Sequence, residues 1–344
     1  MKRALILLAF AATVRAQGTF TVGNAAAAPG QKAYGTIEVP AGVDAALSIP
    51  VVVANGAKKG PVLALVSGAH GTEYASIIAL ERVIQRIDPA SLTGTVIIVP
   101  LINIPSFEKK VPHVNPTDNK SMNRFYPGKL DGTQTERALY FMTKEVVDKC
   151  DYLIDLHGGD LDESLRPYSY WVITGNNRLD TASKGMVLAF GIDTIIISKD
   201  RPTDINASRY LDNTASLRGK PAIAVEAGYA GTTDSDDVEL LANGCFNVMK
   251  NIGILPGPVA AVENPVWLDP VLTVTSDATG IFYPAVKRGM YVTKGAKIGT
   301  ITDYLGRRLS EPRAAAAGIV TFVRAVPSMT KGETVASIGV PVSP

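Results

Sequence analysis

The sequence predicts an α/β chain, a mixed sheet with helices on both faces, followed by a small C-terminal β-sandwich or barrel. Three observations predict it. Between residues 61 and 256, short apolar runs alternate with longer amphipathic stretches, as strands and helices layered on one sheet do. The clearest strand, Pro61-Val-Leu-Ala-Leu-Val-Ser, shows no polar alternation, which marks a strand covered on both faces. After Pro256 the helical periodicity stops and a weak repeat begins. Gly280-Ile-Phe, Lys294-Gly295 and Ile298-Gly299 are echoed by Gly318-Ile-Val, Lys331-Gly332 and Ile338-Gly339, two half-units of short strands with glycine turns.

Residues 1–16 carry the three parts of a secretory signal peptide: Met1-Lys-Arg, an apolar run from Ala4 to Val14, and Val14-Arg-Ala16 as a small-x-small cleavage site. The expectation is export, periplasmic or extracellular, after cleavage near Ala16. The run is too short to span a bilayer, and no other stretch approaches the ~20 apolar residues a span needs. No cysteine follows the cleavage site, which argues against a lipid anchor. Cleavage would remove Lys2, Arg3 and Arg15 and no acid, leaving 31 of the 34 basic residues against 32 acidic ones. A near-neutral chain offers no electrostatic case for nucleic acid or an anionic membrane. At 46% hydrophobic and 19% charged residues, a filled core is expected and disorder is not.

Residues 17–258 are expected to form the α/β domain and 262–344 the β domain. Runs at 19–22, 34–39 and 47–53 suggest antiparallel strands at one sheet edge. Further strands are expected at 62–67, 95–102, 152–157, 170–174, 193–198 and 222–226, with helices near 73–87, 133–149, 178–190, 206–217 and 236–251. Residues 103–132, rich in Pro and Asn, break the rhythm, and loops beyond ~15 residues inside a domain are usually functional or disordered. Phe107, Phe125 and Tyr126 favour a loop that lines a site. The tail is similar to the barrel-sandwich of biotinyl and lipoyl carriers, but Tyr304-Leu-Gly-Arg-Arg-Leu stands where a carrier lysine would be, so carrier function is not expected. Cys150 and Cys245 read as small buried hydrophobes rather than nucleophiles.

The chain has three histidines. His70 and Glu73 fall in the turn between strand 62–67 and its helix, and ligands of open α/β sheets bind at that carboxyl edge. His157 ends Asp151-Tyr-Leu-Ile-Asp-Leu-His and Glu226 ends Pro221-Ala-Ile-Ala-Val-Glu; like His70, each meets glycine within two residues. Two imidazoles and one carboxylate (His70, His157, Glu73) leave a coordination position for water, the layout of catalytic zinc, here one ion per chain. Glu226 is then the candidate general base. Asp155, two residues before His157 on the same strand face, is placed to hydrogen-bond a ligand imidazole.

His70-x-x-Glu73, Asn103-x-Pro, Asn123-Arg124-x-x-Pro-Gly, Asp155-Leu-His157 and Glu226-x-Gly, in this order, resemble the succinylglutamate desuccinylase/aspartoacylase family, zinc deacylases related to the metallocarboxypeptidases. The resemblance covers roughly residues 45–255, and the tail is similar to the C-terminal domain of many members. It implies a zinc carboxypeptidase-like fold, zinc on His70, Glu73 and His157, Glu226 as general base, and Asn123 and Arg124 on a substrate carboxylate, to which a guanidinium fork is suited. Two departures bear on the substrate. Ser121-Met-Asn-Arg replaces the family's usual Asp-Leu-Asn-Arg, and His113 stands near where many members carry a carbonyl-polarising Arg. The resemblance thus gives His113 that catalytic role, with Lys109 and Lys110 nearby as substitutes. The leading expectation is a hydrolase of an N-acyl amino acid or similar small carboxylate-bearing amide. Alternatives are a zinc carboxypeptidase acting on peptides or cell-wall peptide stems, and a non-catalytic zinc-containing binding module; retention of Glu226 argues against the latter.

Overall fold

The computed structural model describes residues 18–343, so the expected signal peptide lies outside the described residues. In chain order the elements are β1 (Phe20–Val22), β2 (Ala25–Ala27), β3 (Gln31–Val39), β4 (Leu47–Asn55), β5 (Lys58–Ser67), α1 (Tyr74–Arg86), β6 (Thr93–Val99), α2 (Ile104–Lys109) and α3 (Gln134–Met142). Then come β7 (Tyr152–His157), β8 (Glu163–Val172), α4 (Asn177–Phe190), β9 (Thr194–Ser198), α5 (Leu211–Leu217), β10 (Ala222–Tyr229) and α6 (Ser235–Asn251). The tail adds β11 (Val266–Thr275), β12 (Gly280–Pro284), β13 (Tyr291–Val292), β14 (Gly299–Thr302), β15 (Arg308–Ser310), β16 (Gly318–Arg324), β17 (Ser328–Met329) and β18 (Thr334–Val342).

The main sheet runs β3-β4-β6-β5-β7-β10-β8-β9 and continues through β11, β18, β16 and β13. Strands β6, β5, β7 and β10 are mutually parallel, β3 and β4 run against their neighbours, and β8 runs against β10 but parallel to β9. The sheet is therefore mixed. The parallel centre is buried on both faces, which is why Leu63–Val66 reads as an unbroken apolar run and why Asp155 is the one polar residue among the buried Leu153, Ile154 and Leu156. One face carries α1, α4 and α6 around Leu80, Val83, Phe190, Leu241 and Val248. The other carries α3 and α5 around Leu139, Met142, Val146 and Leu211. Helix α1 shows the reason: Ala75, Ala79 and Val83 recur on one face at fourfold spacing and are buried.

Some boundaries differ from the sequence reading. The 103–132 segment opens with a short helix, α2, whose first turn is capped by Asn103 accepting from the Ser106 amide at 3.3 Å. Helix α3 widens into a π-turn over Thr143–Val147, where the Thr143 hydroxyl donates back to the Leu139 carbonyl at 2.8 Å. Helix α5 starts only at Leu211, because Arg209 takes a left-handed φ of 68°. The two cysteines are buried free thiols, and burial pushes Cys150 up to about 12.

The tail has its own core of Val274, Phe282, Ile298, Ile301, Val320, Val335 and Ile338 between two sheets, as a sandwich does. It is also stitched to the main sheet. Strand β11 pairs in parallel with β9 through Val266–Leu268, and β16 pairs antiparallel with β8, Phe322 facing Leu165 and Arg324 facing Glu163.

Candidate active site

Strand register brings the chemistry together. On β7 and β10, His157 lies directly beside Glu226, and on β8 Tyr168 is the partner of Glu226 on its other side. Side chains alternate faces along a strand, so Asp155, Ala224 and Tyr170, two residues back, share that face. The small Ala224 leaves room between its larger neighbours.

Strand β5 delivers His70 through a tight turn. Gly68 has φ +69°, and a Cβ there would lie 2.9 Å from the Leu101 backbone. Asn103 and Ser106, at the start of α2, brace the turn: the Asn103 amide donates to the Gly68 carbonyl at 2.9 Å and the Gly71 amide to Ser106 Oγ at 2.9 Å. The Asn103-x-Pro motif thus holds the His70 turn in place. Glu73 occupies the N-cap position of α1 without capping it, and the helix N-terminus favours its negative charge. Its carboxylate points at the histidines instead, Oε1 2.7 Å from His70 Nδ1 and Oε2 2.9 Å from His157 Nδ1. The Gly158 amide also donates to Oε2, at 3.1 Å. Burial works to raise the Glu73 pKa, but His70 and His157 more than offset it and hold the carboxyl below the usual range.

Two features test whether this group fits a zinc ion. The ligand atoms of His70, Glu73 and His157 all lie within 4.8 Å of one another, and both imidazoles present Nδ1 to the shared centre. A histidine that gives Nδ1 to a metal carries its proton on Nε2 and needs an acceptor there. The buried Asp155 Oδ1, which has no hydrogen-bond partner, lies 3.4 Å from His157 Nε2. The Asn123 amide stands beside the same atom, its donor Nδ2 3.2 Å away and its acceptor Oδ1 without a partner. On the other imidazole, Ser121 Oγ sits 3.2 Å from His70 Nε2, so the departure Ser121 supplies a neutral hydroxyl to His70. The donor set, two nitrogens and a carboxylate with oriented outer nitrogens, fits zinc.

A cleft runs over these groups in two lobes that share Asn123, Arg124, His157 and Glu226. The inner lobe, about 280 Å³, lies on the sheet face under α5 and reaches Tyr170, Arg201, Tyr210 and Asp212. The outer lobe, about 290 Å³, spreads from His70 and Glu73 to Glu163, Tyr168 and the tail residues Phe322, Arg324, Thr334 and Ser337. Glu226 stands at the seam. Burial raises its pKa well above the usual carboxylate range; His157 opposes this, while Glu73, Glu163 and Asp155 add to it. Burial and Glu73 likewise push Glu163 up to about 7.

His113 does not fit the carbonyl-polarising role expected of it. Its Nδ1 lies 3.1 Å from Asp160 and its Nε2 2.9 Å from Asp162, so both ring nitrogens face carboxylates and neither is free for a carbonyl oxygen. The ring still lines the outer lobe, with its centroid 6.1 Å from that of His70. Arg324 belongs to the same cluster, bonded to Asp162 and donating from Nη2 to the Thr334 carbonyl at 3.1 Å.

Arg201, Tyr170, Tyr210, Phe322 and Arg324 were not singled out in the sequence. Reading every second residue back from the strand ends reaches the floor of the inner lobe, and would have found Tyr170 opposite Ala224. Nothing local marks Arg324 or Phe322, which arrive through the distant β8–β16 pairing.

Comparison with known proteins agrees with this geometry. A deacetylase of N-alpha-acetyl-L-2,4-diaminobutyric acid from Halomonas elongata is 28% identical over 315 residues, covering 89% of this chain and 90% of its own. A succinylglutamate desuccinylase of a Silicibacter species superposes with a TM-score of 0.82 at 22% identity, over 95% of this chain and 99% of that one. A product-bound ectoine utilization protein of Ruegeria pomeroyi gives 0.82 at 23% identity with the same coverage. The succinylglutamate desuccinylase/aspartoacylase catalytic domain matches residues 59–252, more than half of the chain. The protein therefore belongs to the succinylglutamate desuccinylase/aspartoacylase family.

Proposed function

We propose that the chain is a zinc-dependent amidohydrolase that removes the acyl group from an N-acyl amino acid. The observation that carries the reading is the pairing of His157 with Glu226 at the seam of a two-lobed cleft. The metal-ligating corner and a basic carboxylate meet where an amide bond would lie, and the arginines line the inner lobe. The Halomonas relative, a deacetylase of an N-acetyl amino acid, supports the same class.

His70, Glu73 and His157 would hold the ion, which supplies Lewis acidity to the scissile carbonyl and to the attacking water. Glu226 takes the proton from that water and passes it to the leaving amine, as a positioned carboxylate beside the metal corner can. Asp155 Oδ1, 3.4 Å from His157 Nε2, is placed to accept from it, and Ser121 stands against His70 Nε2, so both rings are steered to one orientation. Asn123 and Arg124, at the seam, take the substrate carboxylate, placing the amino-acid half in the inner lobe and the acyl half in the outer one.

Export is part of this proposal, supported by the basic start, apolar run and small-x-small site of residues 1–16. N-terminal sequencing of the secreted protein should begin at Gln17; an intact Met1 on all of the protein would refute it. The function is tested by assaying the zinc-loaded protein on a panel of N-acyl amino acids and short peptides, with and without chelator. Chelator-sensitive release of free amino acid from N-acyl substrates is expected. Cleavage of peptides alone would make it a carboxypeptidase, and no cleavage at all would leave a binding module.

A further inference from the structure

The loop that carries Asn123 and Arg124 also backs the metal corner. Resting on the zinc reading of His70, Glu73 and His157, we propose that Tyr126 is a positioning residue of that centre. Its hydroxyl donates to Asp155, directly or through one water, and so holds the Asp155 carboxylate against His157.

Among the described residues, four buried side-chain polar atoms have no hydrogen-bond partner: Asn123 Oδ1, Tyr126 Oη, Asp155 Oδ1 and Ser169 Oγ. Ser169 stands between Tyr168 and Tyr170 on β8 and so takes the opposite face of that strand. The other three belong to one neighbourhood behind His157. Asp155 Oδ1 and Asn123 Nδ2 lie 3.4 and 3.2 Å from its Nε2. Tyr126 is 2% exposed and belongs to the core that holds Leu153, Leu211 and Ala215. Leu153 and Asp155, two apart on β7, share a face. Burial raises the phenol well above its usual pKa, and the Asp155 charge raises it further. The phenol therefore stays protonated, a donor in the field of a carboxylate that lacks one.

Complementarity assigns the bond. A buried hydroxyl or carboxylate oxygen left unpaired is costly, and here donor and acceptor are both unpaired. A phenol satisfies Asp155 without neutralising it, so the charge remains to accept from His157 Nε2. The backbone pins the ring in place: the Tyr126 amide donates to the Arg209 carbonyl at 3.3 Å, and the Arg209 amide to the Tyr126 carbonyl at 3.0 Å. One short stretch then backs both imidazoles, with Ser121 at His70 Nε2, Asn123 at His157 Nε2, and Tyr126 acting through Asp155.

The test is Tyr126→Phe, which removes the hydroxyl and keeps the ring. Zinc affinity, read by competition with a chromophoric chelator, should fall roughly 10-fold, and kcat on an N-acyl amino acid should fall with KM unchanged. The denaturation midpoint of zinc-loaded protein should drop more than that of chelator-treated protein. In an Asp155→Asn background the same change should weaken zinc by less than about 2-fold more, because the two residues act in series. Unchanged zinc affinity would overturn the proposal. So would equal losses in both backgrounds with equal midpoint shifts, which would make Tyr126 a packing residue. Should Tyr126→Phe fail to fold, meta-fluorotyrosine at position 126 keeps the hydroxyl. Its fluorine resonance should differ between the wild-type and Asp155→Asn proteins, and an identical resonance would overturn the proposal. A wild type whose zinc affinity depends on Tyr126 but which hydrolyses nothing would overturn the deacylase reading and uphold this one. Hydrolysis of N-acyl amino acids with zinc affinity indifferent to Tyr126 would do the reverse.

Discussion

The cleft has two walls of different construction. One is made of strand ends of the α/β sheet, where His157 and Glu226 are register partners and His70 and Glu73 follow β5. The other is made of tail strands that present Phe322, Arg324, Thr334 and Ser337. The first wall carries the proposed metal ligands and base; the second adds breadth and shape. Chemistry needs groups fixed within a fraction of an ångström, and parallel strands buried on both faces provide that. Under the proposed function, selection of an acyl group needs a surface that can vary without disturbing the ligands, and the tail strands are placed to supply it.

The largest expected effect falls on the first wall. His157→Ala should lower bound zinc from one per chain to background, with loss of turnover. Full zinc content by elemental analysis would break the division of labour at its root. Next, Glu226→Gln should retain zinc and shape but lose about 10²–10⁴-fold in kcat, the usual contribution of a positioned acid–base group. Near-normal turnover would move the base elsewhere. On the second wall the effect should be smaller and of another kind. Phe322→Leu should change the preference between acetyl and longer acyl substrates by roughly 10-fold, as hydrophobic pocket changes do, with zinc content unaltered. A uniform loss on every substrate would show that the tail also supports the chemistry.

The smallest expected effect lies where the walls meet, at Glu163, the β-ladder partner of Arg324. Its carboxyl is raised to about 7 from 4.5 by burial and by Glu73. The folded state therefore binds the proton more tightly than the unfolded chain, and stability falls as pH rises between those values. In chelator-treated protein, denaturation midpoints should decline from pH 5 to pH 7, and Glu163→Gln should flatten that decline. An unchanged slope in the variant would assign it to other groups.

The first wall was legible in the sequence because its residues announce themselves locally. His70, His157 and Glu226 each end an apolar run and meet glycine within two residues, and strand-end placement needs no knowledge of distant contacts. Asp155 followed from the period of two. The second wall was not legible, since Phe322 and Arg324 reach the cleft through an antiparallel pairing with a strand about 160 residues away in sequence. The tail residues that line the cleft, Phe322, Arg324, Thr334 and Ser337, stand on its strands, while the tail tyrosines Tyr283, Tyr291 and Tyr304 are exposed. His113 was misread for a related reason, because Asp160 and Asp162, which occupy its ring, come from a turn that local reading cannot bring next to it.

The pairing of β16 with β8 has a consequence for how the cleft exchanges its contents. Backbone hydrogen bonds from Phe322, Val323 and Arg324 to the 163–165 segment tie the two walls into one ladder. A hinge-bending tail would have to break that ladder at every opening, and the parallel pairing of β11 with β9 besides. Domain swinging of the kind that gates many enzymes would cost this architecture both pairings at once. Exposed side chains at the mouth, Arg124 among them, can move without breaking either ladder, and side-chain motions run on times far shorter than those of domain closure.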